Sequence, residues 1–292
     1  MTDRPDIRLF GDKGQASGDF KLSITRALGD QLGEGLERLV PAPLSAEYLK
    51  EEIQHRPGVY QLYVDDELVY VGKASKSLRD RLDVHRKKIS GRVNISLEQV
   101  GFVCLYVDED LDAAAPEKLL IKRYRAKGEA PWNTMGFGNK DPGRNRDKTL
   151  VKAKHFDARY PINTGLTVDG LTPGKQTLGP VLTAAKSALP YTFRFLTMPK
   201  SKVPHTSLRD VPVTVPDTKM DTVSFLRFVL ESLPDGWQAT ELPGYVILYP
   251  DFEDLASATR YWRATNGSVE PFEGQGRLDE KGEVADQDDE DD

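Results

Sequence analysis

GVYQLYVDDELVYVGK, residues 58–73, is the stretch on which the fold turns. Two β-branched and aromatic runs separated by the acidic turn residues DDE read as an antiparallel hairpin. Side chains alternate faces along a strand, so the length of the loop decides which residues share a side. With Asp65 and Asp66 alone as the loop, Tyr60 pairs with Val71, and Tyr60 and Tyr70 face opposite ways. A three-residue loop through Glu67 sets Tyr60 across from Gly72 and Tyr70 across from Leu62, with both phenols on one face. The three-residue loop is expected, although the glycine usual in such loops is missing.

Downstream, Ser77 offers an N-cap to the helix SLRDRLDVHRKKI, whose Leu78, Leu82 and Ile89 form an apolar stripe. VGFVCLYV supplies a third strand, and Pro116 opens a helix PEKLLIKRYRAKG ending at Gly128. Upstream, Ser45 caps SAEYLKEEI, which stops before Pro57. The order strand, strand, helix, strand, helix gives a mixed α/β (α+β) class, a three-stranded antiparallel sheet flanked by helices.

The chain of 292 residues exceeds the usual single-domain size. Residues 1–43 read as a mobile N-terminal arm with one helix, 44–162 as the α/β core, and 163–269 as a second, smaller α+β domain. In that second domain, helices are expected at 177–189 and at TVSFLRFVLESL capped by Asp221. Strands are expected at YTFRFLTM and in a WQATEL…YVILY hairpin, with a final helix near 252–264. Residues 270–292 carry eleven acids against Arg277 and Lys281, 11 − 2 = 9 net negative charges, and read as a disordered acidic tail. Cys104 is alone, which rules out an intrachain disulfide and a cysteine-rich zinc site. The N-terminus carries no run like a signal peptide and no segment is long enough to span a membrane, so a soluble cytoplasmic protein is expected.

The formal net charge is −6, yet from Lys73 to Arg92 eight Lys/Arg face two acids, 8 − 2 = +6. Residues 116–148 add nine against four, 9 − 4 = +5. Such local excess points to an anionic partner. Arg81 and His85 lie at i and i+4 on one helix face and could clasp a phosphate. Glu117 falls on the same side as Leu120, Ile121 and Tyr124, an inward carboxylate of the sort that holds a hard divalent ion.

GVY at 58–60, YVG at 70–72, Arg81 and His85 on one helix, Glu117 on the next, and Asn133 after a tryptophan resemble the GIY-YIG nucleases in order and spacing. Both tripeptides carry valine where the family's nominal motif has isoleucine. The block WN…GFG…DPGRNRD resembles the restriction-endonuclease branch, and the likeness extends over roughly 45–162.

The resemblance implies catalytic Tyr60, Tyr70, Arg81, His85, Glu117 and Asn133, with Mg²⁺ on Glu117 and Mn²⁺ as a substitute. It implies a type II restriction-like endonuclease on double-stranded DNA, leaving 5′-phosphate and 3′-hydroxyl ends, with Tyr60 or His85 as proton acceptor. Lys73, Lys76, Arg79, Arg86 and Lys87 would meet the DNA backbone, and Arg144, Asn145 and Arg146, in a glycine-rich loop, would approach base edges. Cutting both strands of a palindrome calls for a homodimer, and a restriction role calls for a cognate DNA methyltransferase. The alternatives are a structure-specific or repair nuclease and a noncatalytic DNA-binding module.

Overall fold

The computed structural model describes residues 24–107, 120–121, 123–124, 128–138 and 143–281. The first sheet contains β1 (Ala42–Pro43), β2 (Gly58–Val64), β3 (Glu67–Ala74) and β4 (Val100–Tyr106), in the order β1-β4-β2-β3. The proline-marked connection thus adds a short fourth strand to the three expected. Three helices accompany these strands: α1 (Ile24–Glu37), α2 (Ala46–Glu52) and α3 (Leu78–Ser90).

The hairpin reaches the expected pairing by a different route. Its loop is Asp65 and Asp66 alone, both at positive φ (49° and 65°), and Val64 pairs with Glu67. Two such residues form the primed turn that matches strand twist, which is why no glycine is needed. The register then shifts between Leu62 and Tyr63, leaving Val69 as an extra residue on β3. This bulge restores Tyr60 opposite Gly72 and Leu62 opposite Tyr70.

Alternation along the strands gives the sheet two dressed faces. Tyr60, Leu62, Tyr70 and Phe102 join Leu78, Leu82 and Ile89 of α3 in one core. Val59, Val71 and Val103 join Leu36 of α1, Leu120 and Tyr124 in another. The helix expected in the N-terminal arm is therefore packed on the sheet through Leu36, and Arg123 meets its Asp30 and Glu37 at 3.1 and 3.2 Å. Ser45 and Ser77 cap α2 and α3 as expected, each accepting an amide hydrogen bond at 3.1 Å.

After a short helix α4 (Arg144–Asp147), strand β5 (Val151–Lys152) and a short helix α5 (Phe156–Arg159), the second unit begins. Arg144, Asn145 and Arg146 stand on α4 and not in a loop, because Gly143 at φ 72° turns the chain into it. Strand β6 (Gly174–Thr177) leads to α6 (Leu178–Ala188), β7 (Thr192–Phe195), helix α7 (Thr206–Arg209), β8 (Pro212–Val215) and α8 (Thr222–Glu231). The strands β9 (Trp237–Leu242), β10 (Tyr245–Pro250), β11 (Arg260–Thr265) and β12 (Ser268–Glu273) follow, and the main sheet has the order β12-β11-β9-β10-β7. Helices α6 and α8 pack their apolar residues on one face of it, and Asp221 caps α8 by accepting from the Ser224 amide at 2.7 Å.

Two expectations fail here for identifiable reasons. The final helix near 252–264 is replaced over its second half by β11, whose RYWRAT run offers bulky and aromatic side chains to β9 and β12 on either side. The acidic tail does not start at 270: Glu270 and Glu273 stand on β12, in register with Arg263 and Arg260 of β11. A last strand, β13 (Leu278–Asp279), runs parallel to β5 and ties the end of the described chain back to the first unit. The rest of the expected tail, residues 282–292, lies outside the described residues.

Candidate active site

Tyr60 on β2, Tyr70 on β3, and Arg81 and His85 on α3 converge on one face of the first sheet. Tyr60, Tyr70 and His85 are all at most 2% exposed. The Tyr60 hydroxyl is hydrogen-bonded to His85 Nε2 at 2.6 Å and receives the Arg81 Nε–H at 3.3 Å. Three rings crowd the imidazole: Tyr60 and Tyr70 at 5.5 and 5.4 Å between centroids, and Phe137 stacked at 4.8 Å. Gly72 lies under the two phenols, and a Cβ there would overlap the Tyr60 hydroxyl and ring and the Tyr70 ring. The bulge at Val69 and the bare Gly72 thus let two large phenols share one small area.

Burial and the neighbouring Arg81 and Lys88 cations hold the His85 pKa well below the usual imidazole value. The ring is therefore neutral at physiological pH. Its Nδ1 is buried and has no hydrogen-bond partner among the described residues.

Asn133 works from behind the site. Its Oδ1 accepts from the Val71 amide at 2.9 Å and its Nδ2 donates to the Val71 carbonyl at 2.7 Å. Strand β3 is the sheet edge, so one side chain satisfies both outward backbone groups between Tyr70 and Gly72. This makes Asn133 a positioning residue, holding the strand that carries Tyr70.

Glu117 lies outside the described residues. Leu120 and Tyr124, which share its side in the sequence pattern, pack on the sheet face opposite Tyr60 and Tyr70. Among the described residues no group of three or more His, Cys, Asp or Glu could hold a metal. Phenols, one imidazole and a guanidinium are not an Mg²⁺ ligand set, which takes carboxylate and water oxygens. The described residues alone therefore do not fit that ion.

The residues expected to meet DNA are unevenly placed. Lys76 is exposed and Lys73 half-buried beside the site. Arg79 donates to the Leu49 carbonyl at 2.9 Å, while Arg86 and Lys87 both pair with Asp83, at 2.8 and 3.0 Å. Arg144 lies over the Tyr249 ring at 4.2 Å, Asn145 is exposed, and Arg146 Nη2 lies 2.8 Å from His155 Nε2.

Lys88 and Arg92 were counted in the basic segment without a site role, and Phe137 was not singled out. Arg81, His85, Lys88 and Arg92 follow one another at helical spacing of four, three and four, so the two extra cations were legible as one stripe. Phe137 stood in the quoted GFG run without a role.

Residues 56–130 match the model of the GIY-YIG catalytic domain. The match supports a nuclease and, with it, DNA binding. No curated protein matches the chain. Among the described residues no helix is long and apolar enough to cross a membrane.

Proposed function

We propose that this protein is a site-specific, Mg²⁺-dependent endonuclease of double-stranded DNA, restriction-like in type, acting in the cytoplasm against foreign DNA. It works as a homodimer beside a cognate methyltransferase, with residues 44–162 as its nuclease domain. The observation that carries the reading is the Tyr60 hydroxyl clasped between neutral His85 and Arg81. Its restriction character rests on the WN…GFG…DPGRNRD block.

Tyr60 takes a proton from water as the water attacks phosphorus, and the bond to the 3′ oxygen breaks, that oxygen taking up a proton from solvent to leave as the 3′-hydroxyl. A phenol of pKa about 10 is only about 1% ionised at pH 8, a handicap of about 2.7 kcal/mol. Two features offset it. The Arg81 guanidinium favours phenolate, and the free lone pair of His85 accepts the Tyr60 proton as the phenol gains that of water. In the free protein the proton stays on Tyr60, because His85 is a weak base there. A phosphodiester brought against Arg81 and His85 supplies the negative charge that strengthens that base. Tyr70 orients the water, and Lys73 and Lys76 meet neighbouring phosphates. Mg²⁺, assigned to Glu117 on the resemblance, would stabilise charge on the phosphate and leaving oxygen when bound.

Incubating plasmid with the protein and Mg²⁺ is expected to give discrete fragments with 5′-phosphate ends. Glu117→Ala is expected to bind DNA without cutting it. Undiminished cutting in chelator would overturn the metal assignment, and an uncut plasmid under every divalent ion would overturn the nuclease reading.

A further inference from the structure

The basic stripe of α3 does not end at the active site. Beyond His85 it enters a cleft of about 470 Å³ between the first unit and the C-terminal unit, with α3 on one wall and the α6–β7 segment on the other. Its charged lining is Lys87, Lys88, Arg92, Arg146 and Lys186 against Asp157, 5 − 1 = +4. His155, also in the lining, adds no charge near neutrality, since its pKa is pushed down to about 4, first by burial.

Several of these cations are fixed in the wall. Arg92 Nη1 meets Asp157 at 3.0 Å and donates to the Tyr160 carbonyl at 3.1 Å, and Lys88 donates to the Phe137 carbonyl. Lys87 and Lys186 are exposed, one on each side. A cleft with a net excess of one sign of charge concentrates counter-ions.

We infer that this cleft holds the sugar–phosphate backbone of DNA beside the cut, and that the C-terminal unit contributes Lys186 to that grip. The inference rests on the nuclease reading and gives the second unit a role in it. Lys88 lies seven residues along α3 from Arg81, about 10 Å at 1.5 Å per residue. A strand advances about 3.4 Å per nucleotide, so the cleft meets the backbone about three nucleotides from the scissile phosphate. Phe137, stacked on His85 and beneath the Lys88 ammonium at 5.0 Å, joins the two places physically.

The test compares Lys186→Gln with Lys202→Gln, an exposed lysine outside the cleft lining. Each is titrated against a random-sequence 30-base-pair duplex in chelator over a range of salt. One lost phosphate contact lowers the log–log salt slope by about 0.9 and the affinity about eightfold at 0.1 M salt. That change in Lys186→Gln, with Lys202→Gln near wild type, supports the inference. Wild-type binding and slope in Lys186→Gln overturn it while leaving the nuclease reading intact. A wild-type chain that binds no duplex overturns both. In a parallel arm, inorganic phosphate stabilising wild type but not Lys186→Gln, with duplex affinity unchanged, would make the cleft a small-anion site and overturn the DNA track.

Discussion

The two units each bury a polar cluster against a sheet, and the clusters are finished to different degrees. In the C-terminal sheet, Glu241 receives Arg260 Nη2 at 2.9 Å, Thr259 at 3.1 Å and Thr164 at 3.3 Å, and Arg260 reaches Thr164 as well. Gln238 beside it donates to Thr240 and the Glu253 carbonyl and accepts from Arg263. Charge and hydrogen bonds close on themselves there, as structural polar networks do. At the face of α3, by contrast, a neutral imidazole keeps a buried nitrogen without a partner among the described residues, next to cations that hold its pKa down. A group left unsatisfied in a buried place costs stability and calls for an explanation. On the proposed function, a bound phosphodiester would supply one.

Removing single atoms from each cluster should show that difference. The largest effect is expected from Tyr60→Phe. It removes two hydrogen bonds, to His85 and Arg81, each worth about 1 kcal/mol in stability, but lowers the single-turnover cleavage rate by about 10²- to 10⁴-fold, the usual worth of a general base. A wild-type rate would break the comparison. Next comes Glu241→Ala, expected to cost about 3 kcal/mol in denaturant unfolding. That is the low end for a broken buried ion pair, because Arg260 stays 38% exposed. Cleavage per folded molecule should be unchanged. If it collapses while the fold survives, the C-terminal cluster is not merely structural.

The last effect belongs to the seam between the units and appears only as pH falls. His155 Nδ1 accepts the Asp157 amide at 3.1 Å, and the Arg146 guanidinium lies 2.8 Å from Nε2. Its pKa is pushed down to about 4, chiefly by burial. Between pH 6.5 and 4 the unfolded chain binds a proton that the folded chain refuses, so stability falls as pH falls through that window. The loss reaches about 3 kcal/mol at its lower end. His155→Asn keeps a capping acceptor and removes the titration. Its melting temperature should therefore fall less steeply than that of wild type between pH 6.5 and 4, and parallel curves would show the seam histidine to be silent.

Local signals carried much of the first unit. Ser45 and Ser77 marked their helices because capping is decided within three residues, and the stripe of Leu78, Leu82 and Ile89 named the buried face of α3. The convergence of Tyr60, Tyr70, Arg81 and His85 was legible because a two-residue period and a helical turn fix which side each residue takes. The bulge at Val69 was not, since a bulge and a longer loop give the same pairing of Tyr60 with Gly72. Asn133 as clamp of a sheet edge needed the strand order, which lies in long-range pairing. Residues 252–273 were misread because charge and short apolar runs suit a helix or a tail equally well. Only β9 and the arginines of β11 make them strands.

The central claim is that the α3 face is built to be completed by a phosphate. The most direct test is a histidine titration by nitrogen-15 NMR, with His85 assigned through His85→Gln, on the free protein and on its complex with duplex DNA in chelator. The account predicts a ring that is neutral near pH 7 when free, and whose pKa rises when DNA binds. An imidazole already charged in the free protein, or one whose titration DNA binding leaves unmoved, would contradict it.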